Sequence, residues 1–594
     1  MPIKKQPFTI IKDELAKAVD VDDNRGRTVP INMNFIEEGY LTKDTGCELF
    51  GAESASLFHS LFNYKKKDGT NYILGATGKH LQRYNTTTNQ WENLRGGTST
   101  ITIATPAVVT QTAHSFVSTT PIVFSTTGAL PTGITAGTTY FVIAAGLTAN
   151  AFQFSETVGG SAVDTSGTQS GVHTVTAAYT EDAEFAYLVY DDDLYLSNAN
   201  EPYTKFDGTT FTEYASAPKG NILEIFEDRL FVSGVTAEPL TTYYSNVGVP
   251  TTFTGTDIIK PTGTDKITGT VNYFGSLLIF KQESIWKLTF IYDQIVALFV
   301  PKLEIQNGQY GACGKDAISW VENDIWFFTG LEVRSIGYKD QQIGVLGVNT
   351  SVISEDIKET LAYIKVADYS QIVTFYYNRR FYMAIPLVED TNDVTFVCHL
   401  LHGNAWTKNT NRIKAKSSDY MEIDGVIYSA KSSAPFGVLK WTESLNDNGV
   451  AIPSSVRFER VEDDDFSRFN VYRYLDLMFK DLLARVTVTV YSDANDIRNT
   501  KAKIFFVGNP VENEENALPE VPIGDMLIAD SFGRVVANSP FTKRRVSFLS
   551  KAQSISIELS NDKLSETFTI SQFALSGHKS PRKLTKSSSV ISMN

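Results

Sequence analysis

The sequence predicts a mainly β protein organised around a six- or seven-bladed β-propeller, and three observations predict it. Aromatic residues make up 12% of the 594, with 27 Tyr and 37 Phe beside abundant Thr, Val and Ser, a composition suited to pleated, half-buried strands. A short apolar strand, a tight polar or glycine turn and an aromatic-rich strand recur seven times along the chain. From the second of these units onward the turns lie roughly 35 to 55 residues apart, the interval at which each repeat supplies one four-stranded blade.

The seven units lie at 71–84, 187–196, 222–234, 271–280, 318–328, 373–385 and 421–430. Each reads as a hairpin, with turns near Gly78, Asp193, Asp228, Gly275, Asp324, Arg379 and Gly425. The first interval is much longer because it holds a foreign-looking segment at 98–178. That segment has two charged residues other than histidine, Glu156 and Asp164, and the runs TYFVI and AFQFS between glycine-rich turns. It predicts a small inserted β module, with a disordered linker as the competing reading. Several hairpins are followed by a second strand pair carrying Trp91 or Phe211, aromatics expected to wedge between adjacent blades.

Helix is expected in one place in the middle of the chain, VNTSVISEDIKETLA at 348–362. Ser354 could cap it, Glu355 and Asp356 suit its positive first turn, and Ile357 and Leu361 share a face. After 455 the alternating strands RFNVYRYLDLMF, RVTVTVYS, AKIFFVG, RRVSFLS, SISIELS and TFTISQFAL predict a separate β-sandwich-like domain. The expected organisation is an N-terminal arm over 1–50, the propeller over 51–97 and 179–454, the insert over 98–178, the C-terminal β domain over 455–578 and a flexible basic tail over 579–594.

Charge and cysteine usage narrow the function classes. A net charge of −14 argues against gripping nucleic-acid phosphates, although an acidic wall lets a polyanion slide past. Cys47, Cys313 and Cys398 match no disulfide framework or CxxC spacing and read as buried thiols made in a reducing cytoplasm. No apolar run approaches the length of a membrane span, and the start MPIKKQPFTI lacks a signal-peptide core, so no membrane anchor is expected.

Several constellations invite a chemical reading. Asp191-Asp192-Asp193 and Asp463-Asp464-Asp465 lack the spacing of a calcium loop, and the first falls on a hairpin turn that favours Asp. Cys398, His399 and His402 could be imagined around a metal, but an HxxH on a strand sends its imidazoles to opposite faces. No GxSxG elbow, phosphate-cradling loop, Asp-box turn or nominable carboxylate pair is present. Catalytic, cofactor-binding and metal-binding residues are therefore all expected to be absent, and no cofactor is called for. The acidic clusters at 462–465 and 512–515 are candidates to face DNA.

Four stretches in order carry a resemblance. VPINMNFIEEGYLTKDTGCELFG at 29–51 resembles the N-terminal arm of short-tailed phage packaged-DNA stabilisation and tail nozzle proteins, the tail tubular protein family. DRLFVSGVTAEPLTTYYSNVGVPTTFTG at 228–255, VNYFGSLLIFKQESIWKLT at 271–289 and IQNGQYGACGKDAISWVENDIWFFTG at 305–330 resemble successive blades of that family, and the likeness spans roughly 29–440. It implies a structural, non-enzymatic virion protein assembled in the host cytoplasm. Such a protein would form a ring, commonly a homohexamer, below the phage portal and adaptor complex and contact tail fibres or spikes. The ring would retain the packaged genome and conduct double-stranded DNA without sequence-specific binding. A receptor- or glycan-binding propeller of a tail fibre or adhesin is the alternative, with exposed aromatics of the 98–178 module as its platform. A glycosidase propeller is a third.

Overall fold

Two-residue turns set the architecture. In a computed structural model of the chain, five hairpins turn through paired residues with positive φ, namely Asp191-Asp192, Glu227-Asp228, Phe274-Gly275, Asn378-Arg379 and Asp424-Gly425. This geometry matches the twist of the flanking strands and explains the Asp, Asn and Gly at these points. The structure describes residues 7–12, 29–36, 40–179, 184–201, 203–294, 298–340, 345–348, 352–410, 416–458, 461–462, 468–492, 501–507, 542–552 and 554–583.

The protein is mainly β, and its middle consists of seven four-stranded antiparallel sheets. Six are sequential meanders, within 58–93, 186–214, 222–259, 267–307, 318–348 and 373–410. The seventh takes three strands from 417–441 and its fourth, Cys47–Ser54, from the chain before the first sheet. That strand pairs antiparallel with Phe436–Trp441, Lys440 opposite Glu48 and Trp441 opposite Cys47. Six of the expected hairpins join the first and second strands of a sheet. The unit at 71–84 joins the second and third strands of the first sheet, whose own opening turn is the longer loop at 66–70.

Each sheet packs on the next through its own apolar cluster. Tyr64 and Leu74 meet Leu194 and Phe206 between the first and second sheets. Phe280 meets Phe327 between the fourth and fifth. Phe58 and Leu61 meet Met421, Tyr428 and Val438, so the seventh sheet packs back on the first. A tyrosine stitch recurs at these seams. Tyr64 donates from the first sheet to the Asp192 carbonyl (2.6 Å), Tyr273 from the fourth to Asn323 (2.7 Å) and Tyr377 from the sixth to Gly425 (2.5 Å). Trp91 sits at the seam of the first and seventh sheets, against Phe58 at 4.9 Å and donating to the Phe50 carbonyl. Phe211 stacks on Phe206 at 4.4 Å in the cluster between the first two sheets.

The insert is ordered as a closed six-stranded barrel from Gly96–Ile101 to His173–Ala177, filled by Val109, Phe124, Phe152, Phe154 and Val175. The linker alternative is thereby set aside. Beyond 454 two sheets enclose one core containing Tyr472, Leu475, Val488, Ile557 and Phe573.

Three expectations are corrected. Residues 1–50 are not a free arm where they are described. Pro7–Lys12 pairs with the last strand, Met33–Phe35 and Leu41–Lys43 join the same C-terminal sheet, and Met33, Phe35 and Leu41 are buried in its core. The basic tail does not begin at 579, because the last strand runs Thr567–Lys583 with Lys583 opposite Arg468. The helix at 348–362 is reduced to a 3₁₀ turn at Glu355–Ile357 and one α-turn at Lys358–Leu361. Ser354 does not cap it, since its hydroxyl accepts the Val333 amide of the fifth sheet instead. Ile357 and Leu361 do share a buried face.

Gly46 offers a test of the seventh sheet. A Cβ there would lie 1.8 Å from the Asn446 carbonyl oxygen, which is backbone and cannot step aside. Gly46→Ala should destabilise the protein by about 1–3 kcal/mol, measured by chemical denaturation. Unchanged stability would mean that the pairing of Cys47–Ser54 tolerates displacement.

Candidate functional site

The first strands of six sheets line one cavity of 290 Å³, which Ser60, Tyr187, Leu223, Thr270, Ile318 and Asp419 reach from the first, second, third, fourth, fifth and seventh sheets. Thr374 of the sixth approaches from the side, donating to the Asp316 carbonyl at 2.9 Å. Four charged side chains meet here. Glu184 precedes the second sheet, Lys315 and Asp316 precede the fifth, and Asp419 lies in the first strand of the seventh.

Their partners lie inside the fold. The Lys315 ammonium donates to Glu184 and, at 3.0 Å, to Asp316. Asp419 accepts the Leu61 amide at 2.6 Å and the Tyr420 amide at 2.8 Å, which ties the seventh sheet to the first. Only 33% of the Glu184 side chain and 19% of Lys315 is exposed. Burial, then the charge of Asp316, pushes the Glu184 carboxyl above its ordinary range. Burial, then Asp316 and Glu184, pushes Asp419 up to about 8. Burial works against the Lys315 charge, yet Asp316 and Glu184 together hold its ammonium above the usual lysine range. Carboxylates with raised pKa in a cavity are also what general acid catalysis uses. Here Glu184, Asp316 and Asp419 are each engaged by a lysine or by backbone amides, the arrangement of an interior ion-pair network.

Sequence reasoning missed these four residues. In the sequence Glu184, Lys315, Asp316 and Asp419 are ordinary charges beside or within strands, with no spacing that marks them as a group.

The candidates singled out in the sequence lie elsewhere. Asp191, Asp192 and Asp193 form the turn and start of a strand and bind separately. Asp191 pairs with Lys67 at 2.9 Å, Asp192 accepts the Lys67 amide and Asp193 pairs with Lys205 at 2.8 Å. Asp463–Asp465 and the cluster at 512–515 lie outside the described residues, as does most of 462–465. Cys398 is fully buried in the cluster with Ile357 and Trp406. His399, on the next strand position, packs edge-on to Phe35 at 5.4 Å, and its ring centre is 6.5 Å from that of His402. His402 lies in a 3₁₀ turn and not on the strand, which corrects the opposite-face argument for this pair. Burial drives the Cys398 thiol up and holds His399 far below the ordinary imidazole range. Among the described residues no group of three His, Cys, Asp or Glu side chains is placed to hold a metal ion. No helix among them is long and apolar enough to cross a membrane.

Comparison with known proteins adds distant likeness only. Neither a protein-family model nor a curated protein matches the chain. Among solved structures, the exo-β-1,3-galactanase of Phanerochaete chrysosporium with galactose is 9% identical, with a TM-score of 0.21 over 66% of this chain and 95% of that one. The N-terminal domain of Nup159 is 9% identical, with a TM-score of 0.28 over 56% and 97%. Apo AztD from Citrobacter koseri is 7% identical, with a TM-score of 0.27 over 68% and 91%. At such TM-scores these likenesses establish neither fold nor activity.

Two outcomes test the cluster. Lys315→Met leaves buried carboxylates without their cation and should cost roughly 3 kcal/mol of stability, read by denaturant titration, and no loss would mean that the carboxylates take up protons instead. Asp419 holds its proton to about pH 8 in the folded chain but only to about pH 4 when unfolded. Between those values the folded state carries more protons, so its stability falls as pH rises. Melting temperature should therefore drop by on the order of a few degrees from pH 5 to pH 8, and Asp419→Asn should flatten that profile.

Proposed function

We propose that the chain is a structural virion protein of a bacteriophage tail. Its seven four-stranded sheets are the blades of a seven-bladed β-propeller, carrying the barrel insert and a C-terminal β-sandwich. It assembles in the host cytoplasm into a homohexameric nozzle that extends the portal and adaptor channel, meets tail fibres or spikes, retains the genome and conducts double-stranded DNA. It works without a cofactor, a membrane anchor or catalysis.

The observation that carries this reading is the strand Cys47–Ser54, which completes the last sheet with chain that precedes the first. Such closure joins the two ends of a toroid by hydrogen bonds and suits a part loaded by internal pressure. The ordered resemblance over 29–440 and the net charge of −14, favourable for a wall past which DNA slides, support it further. The alternative, a glycan-binding propeller using aromatics of the insert, has less support. Of the insert's aromatics, Phe116, Phe124, Tyr140, Phe152 and Phe154 are buried in the barrel, and Phe141 alone is half-buried.

Negative-stain imaging of purified protein should show rings with a central hole, and labelled protein should sit on the tail axis of virions. A monomer at all concentrations, or turnover in a panel of glycoside substrates, would overturn the reading.

A further inference from the structure

The outer half of the fourth sheet ends in a two-stranded ribbon. Pairing between its second and third strands stops at Leu277 opposite Leu288, whereas the third and fourth strands, Ile285–Asp293 and Leu298–Asn307, stay paired as far as Asp293 opposite Leu298. At about 3.4 Å per residue the ribbon reaches about 17 Å past the last rung it shares with the second strand. Its root is braced by the third sheet, where Phe290 packs edge-on to Tyr244 at 5.8 Å and under the Arg229 guanidinium at 5.1 Å. The end of the ribbon is apolar on both faces. Tyr292 and Phe299 lie opposite each other with ring centres 5.5 Å apart, and they are 55% and 62% exposed. Ile291, 46% exposed, points to the other face because successive side chains of a strand alternate. From Gln294 to Pro301 the sequence QIVALFVP carries no charge.

An antiparallel ribbon in water ordinarily keeps one face polar. A protein partner would cover one face of this one and leave the other wet, whereas a lipid layer surrounds both. The same end of the fold adds aromatic surface. Alternate turns of a meander share one end, so the turn that opens the fourth sheet lies beside the ribbon, and its Phe274, 58% exposed, contacts Trp320 of the fifth sheet at 5.7 Å. Tyr and Trp are the side chains that settle at the headgroup level of a bilayer. Charge selects the kind of lipid. Glu227, Asp228 and Glu322 are exposed in the neighbouring hairpin turns, and together with the net charge of −14 they repel an anionic headgroup layer. Backbone chemistry limits the depth. A two-stranded ribbon has open edges, and open sheet edges do not enter the hydrocarbon core, so the contact stays at the interface.

We propose that the tip of this ribbon inserts into the interfacial layer of a neutral, zwitterionic lipid surface. Tyr292 and Phe299 enter on one face of the ribbon and Ile291 on the other, while Phe274 and Trp320 rest against the headgroups. The contact is peripheral and adds no membrane span. It is independent of the ring-forming reading and holds whether or not the chain is a tail nozzle.

The test is flotation of the purified full-length protein with phosphatidylcholine vesicles on a density gradient. The unaltered protein should float with the vesicles, and Phe299→Asp and Tyr292→Asp should each lower its partition coefficient about tenfold or more. Both side chains are exposed, so the variants should fold, and an unchanged melting temperature checks that they do. Tyr363→Asp, at an exposed aromatic in the connection between the fifth and sixth sheets, should leave flotation unchanged. Phe299→Trp should keep binding and gain fluorescence that brominated acyl chains quench. Unaltered protein that does not float, flotation indifferent to the Asp substitutions in folded protein, or stronger flotation on vesicles containing phosphatidylglycerol would overturn the proposal. So would an oligomer that dissociates in Phe299→Asp without any vesicle binding, because the ribbon's occupant would then be a second copy of the chain.

Discussion

The pairing of Cys47–Ser54 with Phe436–Trp441 joins residues nearly four hundred positions apart, and the other seams depend on it. Without it the seventh sheet would present an open edge and the first would lose the wall that covers Phe58, Leu61 and Trp91. Each backbone hydrogen bond in this pairing is worth only about 1 kcal/mol net. The larger effect comes from the apolar cluster that the pairing aligns, because desolvated area scales with everything packed at the seam. Local hairpins can form alone, but their mutual packing requires the ends to meet.

Polar stitches at the seams fix the angle between sheets more sharply than apolar contact can. Tyr64, Tyr273 and Tyr377 occupy equivalent places near the end of a first strand and reach the hairpin turn of the following sheet. The third, fifth and seventh sheets end that strand with Phe226, Val321 and Ile423, which carry no hydroxyl, and their seams are bridged instead by Asn272 donating to the Ile225 carbonyl, by the Ser319 and Thr374 hydroxyls and by Asp419 accepting the Leu61 amide. The charged cluster works in the same way at the common cavity. Asp419 bridges two sheets through amides and Asp316 two others through its carbonyl. Buried charge is a costly material for this purpose unless every group finds a partner.

How much of this was legible in the sequence follows from the range of each interaction. The seven hairpins were readable because Asp-Gly, Asn-Arg and Asp-Asp turns and their strands lie within about a dozen residues. The 71–84 hairpin forms but joins the second and third strands of its sheet, and the turn that opens the sheet, KKDGT at 66–70 with its Asp68-Gly69 pair, lies just before it. The barrel insert announced itself by composition. The strand Cys47–Ser54 was invisible, because CELFGAES contains a glycine and little alternation and pairs with Phe436–Trp441, nearly four hundred residues away. The three-residue strands Met33–Phe35 and Leu41–Lys43 were likewise too short to distinguish from an arm. Helix was over-assigned at 348–362 because Ser354 and the acidic pair look like a cap, whereas tertiary bonds from Val333 claim both Ser354 and the Ile353 amide.

The candidate sites show the same division. Glu184, Lys315, Asp316 and Asp419 are ordinary charges in isolation and become a network only because the first strands converge. The residues with conspicuous spacing, Asp191–Asp193 and Cys398-His399, turned out to serve turns and cores. In a repeat architecture, local motifs report mostly on how each repeat closes. Chemistry that faces a shared cavity or a cleft between repeats is assembled from single residues contributed by several of them, and spacing along the chain carries no trace of it.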